Sequence, residues 1–138
     1  VWTTTQTDPN LASVVVMIEY KNVRWLFTGD AEVEEEEWLV HRWGDALHAS
    51  VLKAGHHGSK TSSSAVFLDA VQPKVALISV GADNTYRHPS PSTLIEFERR
   101  AIHVLRTDRD GPIVVRTDGT QQQIESKAGK WNVPTRER

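Results

Sequence analysis

The stretch VLKAGHHGSKTS at residues 51–62 decides the fold class. Its first four residues have the composition of a short strand, and Gly-His-His-Gly follows at once. Neighbouring side chains of a strand point to opposite faces, so both imidazoles can serve one site only if the chain turns there, which the flanking glycines permit. Two histidines in a surface loop are the alternative on spacing alone. The pattern indicates a ligand site where a strand ends at a sheet edge.

Strands and helices alternate along the rest of the chain. We expect a hairpin over residues 13–20 and 24–28, helices over 31–43, 63–71 and 90–100, and strands over 50–54, 75–80, 103–107 and 113–117. An edge strand over 121–127 and a loosely packed tail from Ala128 complete the prediction. The acidic run at residues 34–37 is interpreted as a solvated helix face near a positive helix end. Alternating strands and helices place the chain in the α/β class.

Composition limits the kinds of site that the chain can form. It has 138 residues, 38% of them hydrophobic and 25% charged, which is ordinary for one globular domain. Without cysteine, a metal ion must be held by His, Asp or Glu. A formal charge of −2 argues weakly against DNA binding, which depends on Lys and Arg at phosphates. No apolar run approaches the length of a membrane-spanning helix.

Three polar clusters follow the predicted strands. They are Thr28-Gly29-Asp30, the Gly-His-His-Gly-Ser of residues 55–59, and the His-Pro-Ser-Pro of residues 88–91. Asp30 alone could simply cap the helix that follows it. His88 could be a loop histidine without further role. Neutral imidazole and carboxylate are also the ligands that zinc-like ions prefer, and together the clusters predict a metal or anion site.

The order of these clusters resembles the metallo-β-lactamase-like domain of ComEC-type competence proteins. The resemblance covers about residues 10–117 and rests on Thr-Gly-Asp, VLKAGHHGSKTS, Ile-Ser-Val-Gly and Tyr-Arg-His-Pro-Ser-Pro. It implies an α/β fold that is the C-terminal αβ half of the αββα metallo-β-lactamase sandwich. Residues 1–127 would form this half-domain, and residues 128–138 its tail.

The resemblance also implies roles for individual residues. Asp30 would be the carboxylate that bridges two metal ions, and His57 a terminal ligand of the second ion. His57 is favoured over His56 because the ligand in related sites immediately precedes the glycine. His56 would then be a catalytic group that contacts substrate or transfers a proton. His88 would be catalytic on the substrate side, and Ser59 would bind substrate there.

One part of the family pattern is missing from this sequence. No His-x-His-x-Asp-His motif occurs in it, so only about two of the usual ligands of two divalent ions, zinc or manganese, are present. Because each ion needs three or four ligands, we expect the chain alone to bind metal poorly and to be inactive. The missing N-terminal half of the fold would come from the same polypeptide or from a second chain.

The parent protein is therefore predicted to be a metal-dependent hydrolase, a phosphodiesterase or nuclease acting on DNA during uptake. Alternatives are a metal-free binding or structural module with a degenerate site, and a soluble hydrolase of small phosphoesters. An unrelated α/β domain would place Asp30 far from His57. A ComEC-like parent would act at the extracytoplasmic face of a bacterial membrane, which it would reach through segments absent here, and other parents would be cytoplasmic.

Two structural expectations follow from the family resemblance. Asp30, His57 and His88 should meet at one sheet edge, within about 10 Å, because each ends or follows a strand on the same side. Half of a two-sheet sandwich should also leave apolar side chains bare for the other half. The candidates for this exposed surface are Val14, Val16, Ile18, Leu26 and Ile78.

Overall fold

The computed structural model describes residues 12–135. The strands are β1 Val16–Tyr20, β2 Val23–Phe27, β3 Val51–Lys53, β4 Val75–Ile78, β5 His103–Arg106, β6 Val114–Thr117, β7 Gln122–Ser126 and β8 Gly129–Val133. The helices are α1 Val33–Trp43, α2 Ala65–Val71, α3 Pro91–Arg99 and the single turn α4 Thr107–Asp110. Short 3₁₀ turns lie at Gly44–Leu47 and Gly55–Gly58.

The first sheet contains five strands in the order β1-β2-β3-β4-β5. β1 and β2 form the expected antiparallel hairpin, and β2 to β5 are all parallel. Parallel neighbours need a crossover, and α1, α2 and α3 supply the three crossovers between these strands. The α/β class is confirmed, and the carboxyl ends of β2, β3 and β4 meet at one edge.

The helices cover one face of this sheet. Alternate strand residues point toward them, and the core there includes Leu26, Leu52 and Ile78 with Phe67 and Phe97 from α2 and α3. Each of these side chains is at most 1% exposed. Burial of a large apolar side chain contributes about 1.5–3 kcal/mol, so this layer fixes how the helices sit on the strands.

A second, three-stranded antiparallel sheet covers part of the opposite face. Its order is β6-β7-β8, and Ile124 and Val133 pack against Val51, Val75 and Leu105 of the first sheet. The sequence reading missed this layer, because it treated residues 121–127 as an edge strand. β7 is instead the central strand of the second sheet.

The expected loose tail is wrong for residues 129–133. They form β8, which pairs with β7 from Gln122↔Val133 to Ser126↔Gly129. Trp131 and Val133 alternate with polar residues and face the second core, a period-two pattern that marks a half-buried strand. Gly and Pro near the chain end masked this pattern. Residues 1–11 of the predicted half-domain and residues 136–138 of the predicted tail lie outside the described residues.

The expectation of a bare apolar surface is correct in part. Val14, Val16 and Ile18 are 77%, 44% and 44% exposed, but Leu26 and Ile78 are buried. The latter two point toward the helices, whereas Val16 and Ile18 lie on the other face of the hairpin. Which partner covers the exposed residues stays a prediction.

The acidic run of α1 is not a uniformly solvated face. Glu34 and Glu37 are exposed as predicted, but Glu35 and Glu36 are buried. The Glu36 carboxylate accepts the backbone N–H groups of Ser63 at 2.5 Å and Ser64 at 2.8 Å, just before α2. Burial raises the pKa of Glu36, although these hydrogen bonds oppose the shift. The carboxylate joins two helices, which helical periodicity does not reveal.

Among residues 12–135, none of the helices is long and apolar enough to span a bilayer.

Candidate functional site

The candidate site lies at the sheet edge where β2, β3 and β4 end. Asp30 follows β2, the two histidines follow β3, and Ser79 follows β4. The first two segments are tied together, because the His56 N–H donates to the Gly29 carbonyl at 3.0 Å. The Thr28 hydroxyl donates to the Lys53 carbonyl at 3.2 Å. Parallel strands thus bring side chains together that are far apart in sequence.

His57 faces Asp30 in this arrangement. Its Nε2 lies 3.9 Å from Oδ1 of Asp30, and its Nδ1 donates to the Ser79 carbonyl at 2.6 Å. A carbonyl only accepts, so this bond places the proton on Nδ1 and leaves the Nε2 lone pair free beside the carboxylate. Histidine ligands of metal ions typically donate the other ring nitrogen to such an acceptor. His57 and Asp30 therefore fit a divalent ion as two of its ligands.

The Asp30 main chain is also fixed. Its N–H donates to the Ser13 hydroxyl at 3.2 Å, and Ser13 N–H donates to the buried Glu35 carboxylate at 3.1 Å. The Ser79 carbonyl is held by its neighbour, since Val80 exchanges two 2.8 Å hydrogen bonds with the Thr107 hydroxyl. Contacts from α1 and from the end of β5 therefore orient the His57–Asp30 pair.

The turn that carries the histidines is tight and depends on its glycines. A Cβ at Gly55 would lie 2.9 Å from the Ala31 carbonyl, and one at Gly58 only 2.7 Å from Cβ of Pro89. His56 and His57 both adopt left-handed conformations, with φ of 44° and 55°. Such conformations cost about 1–3 kcal/mol each for residues with a side chain, and they concentrate at functional sites.

His56 points to a different partner than His57 does. Its Nδ1 lies 3.0 Å from Oε1 of Glu32, which also accepts the Thr61 hydroxyl at 2.7 Å. The ring of His56 meets that of His88 edge to face, with centroids 5.8 Å apart. Sequence reasoning missed Glu32, because it lies just before the acidic run at residues 34–37 and belongs to none of the three polar clusters.

His88 comes from the loop between β4 and α3. The Asn84 side chain brackets its backbone, accepting the His88 N–H at 2.7 Å and donating to the His88 carbonyl at 2.9 Å. The ring stacks on Tyr86, with centroids 5.8 Å apart and an interplanar angle of 14°. Burial lowers the pKa of His88, and the neighbouring His56 and His57 act in the same direction. His88 therefore favours its neutral form.

An open cavity of about 340 Å³ lies beside these histidines. It is lined by His57, Ser79, Val80, Gly81, Asn84, Tyr86, His88 and Thr107. A larger apolar groove of about 600 Å³ between α1 and the β1–β2 hairpin contains none of the predicted site residues. We assign chemistry to the smaller cavity, because the polar side chains converge there.

Two further polar residues, Ser59 and Lys53, lie close to the histidine turn. Ser59 is 5% exposed and its hydroxyl lies 3.0 Å from that of Thr61, and its predicted contact with substrate stays a prediction. Lys53, which sequence reasoning did not single out, donates to the Ala54 carbonyl at 2.8 Å. Burial lowers the pKa of Lys53, an effect that the charge of Asp30 opposes.

Asp30 lies 3.9 Å from His57, and His57 and His88 line the same cavity, so the expected convergence on one edge is confirmed. The expected limit of about 10 Å for all three residues stays a prediction. An unrelated domain with Asp30 far from His57 is contradicted by the 3.9 Å separation. Among residues 12–135, no group of three or more His, Cys, Asp and Glu side chains is arranged to hold a metal ion. The roles of the individual residues remain predictions.

Comparison with known proteins points to one family. Residues 4–82, more than half of the chain, match the family model of the metallo-beta-lactamase superfamily. The chain is 42% identical to ComE operon protein 3 of Bacillus subtilis over 90% of its length, and 42% identical to Competence protein ComA of Neisseria gonorrhoeae over 77%. It is 33% identical to Recombination protein 2 of Haemophilus influenzae over 93% of its length. The chain spans about 15% of the length of these relatives.

Proposed function

The chain belongs to the metallo-beta-lactamase superfamily, and from this premise we propose that it forms part of a metal-dependent phosphodiesterase that acts on DNA during its uptake. The observation that carries the proposal is the pairing of Asp30 with His57. Its support is the 3.9 Å separation together with the hydrogen bond that frees Nε2 of His57. The similarity to ComE operon protein 3 and to Competence protein ComA supports a role in DNA uptake.

Asp30 and His57 would hold divalent metal in this proposal, zinc or manganese. Bound divalent ions polarise phosphoryl oxygens and make water a better nucleophile near neutral pH. Two ligands are too few for tight binding, because zinc sites use three or four. We therefore propose that the remaining ligands come from another part of a longer polypeptide or from a second chain.

The other side chains would act on the substrate. The ring of His56 lies against that of His88, which lines the cavity and can donate its ring N–H to a phosphate oxygen. Nε2 of His56 carries no proton when Nδ1 donates to Glu32, so it can accept a hydrogen bond from the substrate or the attacking water. The proton needed by the leaving oxygen would come from His88. Asn84 keeps His88 in place through hydrogen bonds to its backbone N–H and carbonyl groups. Positioning of this kind lets a weak acid act within hydrogen-bond reach of the reacting group.

We propose DNA as the substrate although the chain carries a formal net charge of −2. The cavity is open rather than enclosed, and Tyr86 at its rim is 81% exposed with its ring already parallel to His88. An exposed aromatic ring of this kind can stack on a base of a single strand. If this protein shares the role that the name Competence protein ComA indicates, it would act at the outer face of a bacterial membrane.

The test is cleavage of a single-stranded oligonucleotide by the longer protein that contains this chain. We expect manganese- or zinc-dependent cleavage that falls by about 100-fold or more in Asp30→Ala and in His57→Ala, because a metal ligand matters at least as much as the groups that support it. Asp45→Ala and His41→Ala are matched controls, since both residues are exposed and lie away from the site. Bound metal is measured alongside activity.

The outcomes separate the proposal from its competitors. Full activity in Asp30→Ala would overturn the assignment of the site. DNA binding without any metal-dependent cleavage would favour a metal-free binding module. Cleavage of a small phosphodiester but not of the oligonucleotide would favour a hydrolase of small phosphoesters.

A further inference from the structure

Glu32 has no part in the ligand and substrate roles above, yet it is a direct partner of His56. Its Oε1 lies 3.0 Å from Nδ1 of His56 and also accepts the Thr61 hydroxyl at 2.7 Å. The two side chains are only about one-quarter exposed, at 24% for Glu32 and 26% for His56. A shielded carboxylate with two donors is held more firmly than one on an open surface.

The backbone around Glu32 is fixed to the histidine turn. Glu32 precedes α1, and its N–H donates to the side chain of Glu35 at 3.3 Å, as in a capping box. The next N–H, that of Val33, donates to the Thr61 carbonyl at 2.9 Å. The start of α1 and the residues after the histidines therefore form one unit, and the Glu32 carboxylate lies at their junction.

The hydrogen bonds around Glu32 assign the proton on His56. A carboxylate only accepts, so Nδ1 of His56 must carry the proton, and Nε2 is the nitrogen left for the cavity side. The Thr61 hydroxyl gives its only proton to Glu32. The Ser59 hydroxyl, 3.0 Å away, must therefore be the donor to Thr61. Ser59 donates to Thr61, and Thr61 and His56 both donate to Glu32, so every donor in this network has an acceptor.

We infer that Glu32 is a positioning residue that sets the tautomer and the ring orientation of His56. His56 needs such support, because its left-handed backbone and the nearby glycines leave its ring without regular secondary structure to hold it. For its effect on turnover the inference rests on the proposed function, in which Nε2 of His56 meets the substrate beside His88.

The tautomer is tested on this chain without any activity measurement. Nitrogen-15 NMR in mildly alkaline buffer, where imidazole is neutral, distinguishes a proton on Nδ1 from one on Nε2. We expect His56 to be protonated on Nδ1 in the wild type and to lose this preference in Glu32→Ser. Serine can still cap α1 but is too short to reach His56, so helix formation is preserved. Glu34→Ser, at an exposed position of the same helix, is the matched control.

Turnover is tested in the longer protein that contains this chain. Glu32→Ser should lower kcat by about 10–100-fold, the range for groups that orient a functional histidine, while KM and bound metal stay close to wild type. A purely structural role would instead reduce thermal stability and bound metal together.

The results distinguish failure of this inference from failure of the proposed function. An unchanged His56 tautomer in Glu32→Ser, or a wild-type proton on Nε2, overturns the positioning role whatever the activity. Normal kcat in Glu32→Ser, in a protein that Asp30→Ala inactivates, also overturns it. If Asp30→Ala is fully active, the proposed function fails, and the NMR result alone decides the role of Glu32.

Discussion

At the residue scale, four of the five carboxylates between residues 30 and 36 have different hydrogen-bond or ion-pair partners. Asp30 faces His57, Glu32 faces His56, Glu35 accepts the Ser13 N–H, and Glu36 accepts two N–H groups ahead of α2. The sequence does not reveal these different partners, because all four side chains end in a carboxylate. Asp30 and Glu32 lie in the segment before α1, whereas Glu35 and Glu36 are adjacent helix residues, which the helical rotation of about 100° per residue turns toward different neighbours.

Glu36→Ala should be strongly destabilising. The change leaves the N–H groups of Ser63 and Ser64 buried without their acceptor, and an unsatisfied buried donor costs about 1–3 kcal/mol. We therefore expect the free energy of unfolding to fall by roughly 2–4 kcal/mol in urea denaturation. Glu37→Ala, at an exposed position of the same helix, should change it by less than about 0.5 kcal/mol. Equal effects of the two substitutions would contradict the bridging role of Glu36.

His88→Ala should impair turnover without removing metal. His88 contacts His56 and Tyr86, whereas His57 is the histidine beside Asp30. In the longer protein we expect kcat to fall by about 100-fold, a typical loss for a group that transfers a proton or stabilises charge. Bound manganese or zinc, measured by elemental analysis, should stay near the wild-type amount. A parallel loss of metal would instead identify His88 as a ligand.

At the scale of secondary-structure elements, the three-stranded sheet depends on its turns and on its last strand. The turn between β6 and β7 is closed by Asp118, whose Oδ1 accepts the N–H groups of Thr120 and Gln121, each at 2.8 Å. The last strand, β8, supplies Trp131 and Val133 to the core between the sheets. Neither feature involves the candidate site, so both can be tested by stability alone.

Asp118→Asn should change how stability responds to acid. Hydrogen bonds from the backbone of Gln121 and Thr120 lower the pKa of Asp118 from 3.8 to about 2. A lowered folded-state pKa gives stability that is present above the unfolded value and is lost as pH falls from 3.8 to about 2. Asparagine keeps the acceptor oxygen but does not titrate. Urea midpoints should therefore fall less steeply over this pH range in the variant than in the wild type.

The control for that experiment is Asp83→Asn, because Asp83 is also exposed and lies in a different loop. It should retain the acid dependence of the wild type. If both variants follow the wild-type curve, the turn does not have the stabilising role given to Asp118.

Trp131→Ala tests whether β8 belongs to the folded core. The indole packs into the second core and lies 5.3 Å from the ring of His103, centroid to centroid. Full removal of a buried aromatic costs about 3–5 kcal/mol, and for this partly buried ring we expect roughly 2–3 kcal/mol. Lys130→Ala, at the exposed neighbouring position, should have little effect. If Trp131→Ala does not lower stability, β8 is not part of the folded core and the prediction of a loose tail is correct.

At the scale of the whole molecule, the site is built on one open edge, and part of the first sheet carries exposed apolar residues. Val14, Val16 and Ile18 are exposed on the hairpin, and Val16 pairs with Phe27, itself 37% exposed. Exposed apolar residues that form a contiguous patch generally mark a contact with another chain segment or protein. We expect the part of the fold that supplies the remaining metal ligands to cover it.

This chain alone should neither bind metal tightly nor cleave DNA. A ligand that binds only the folded state raises stability by RT ln(1 + [L]/Kd), so weak binding gives almost no thermal shift. We expect a melting temperature nearly unchanged by zinc or manganese at about 100 μM, and no metal-dependent cleavage of an oligonucleotide. The longer protein that contains this chain should show both a metal-dependent thermal shift and metal-dependent cleavage. Robust manganese-dependent cleavage by residues 1–138 would show that the present ligands suffice.

The sequence by itself determined the α/β class, the β1–β2 hairpin, the superfamily and the positions that end β2 and β3. These follow from local rules, since apolar periodicity, glycine pairs and proline after a cap act over a few residues. Only the tertiary structure decided that β8 is a core strand, that Glu36 joins two helices and that Glu32 rather than a solvent molecule meets His56. The two glutamate contacts join residues that are distant in the sequence, 24 positions apart for Glu32 and His56 and 28 for Glu36 and Ser64. Their energies depend on burial and on partner geometry, which exist only once the layers have packed.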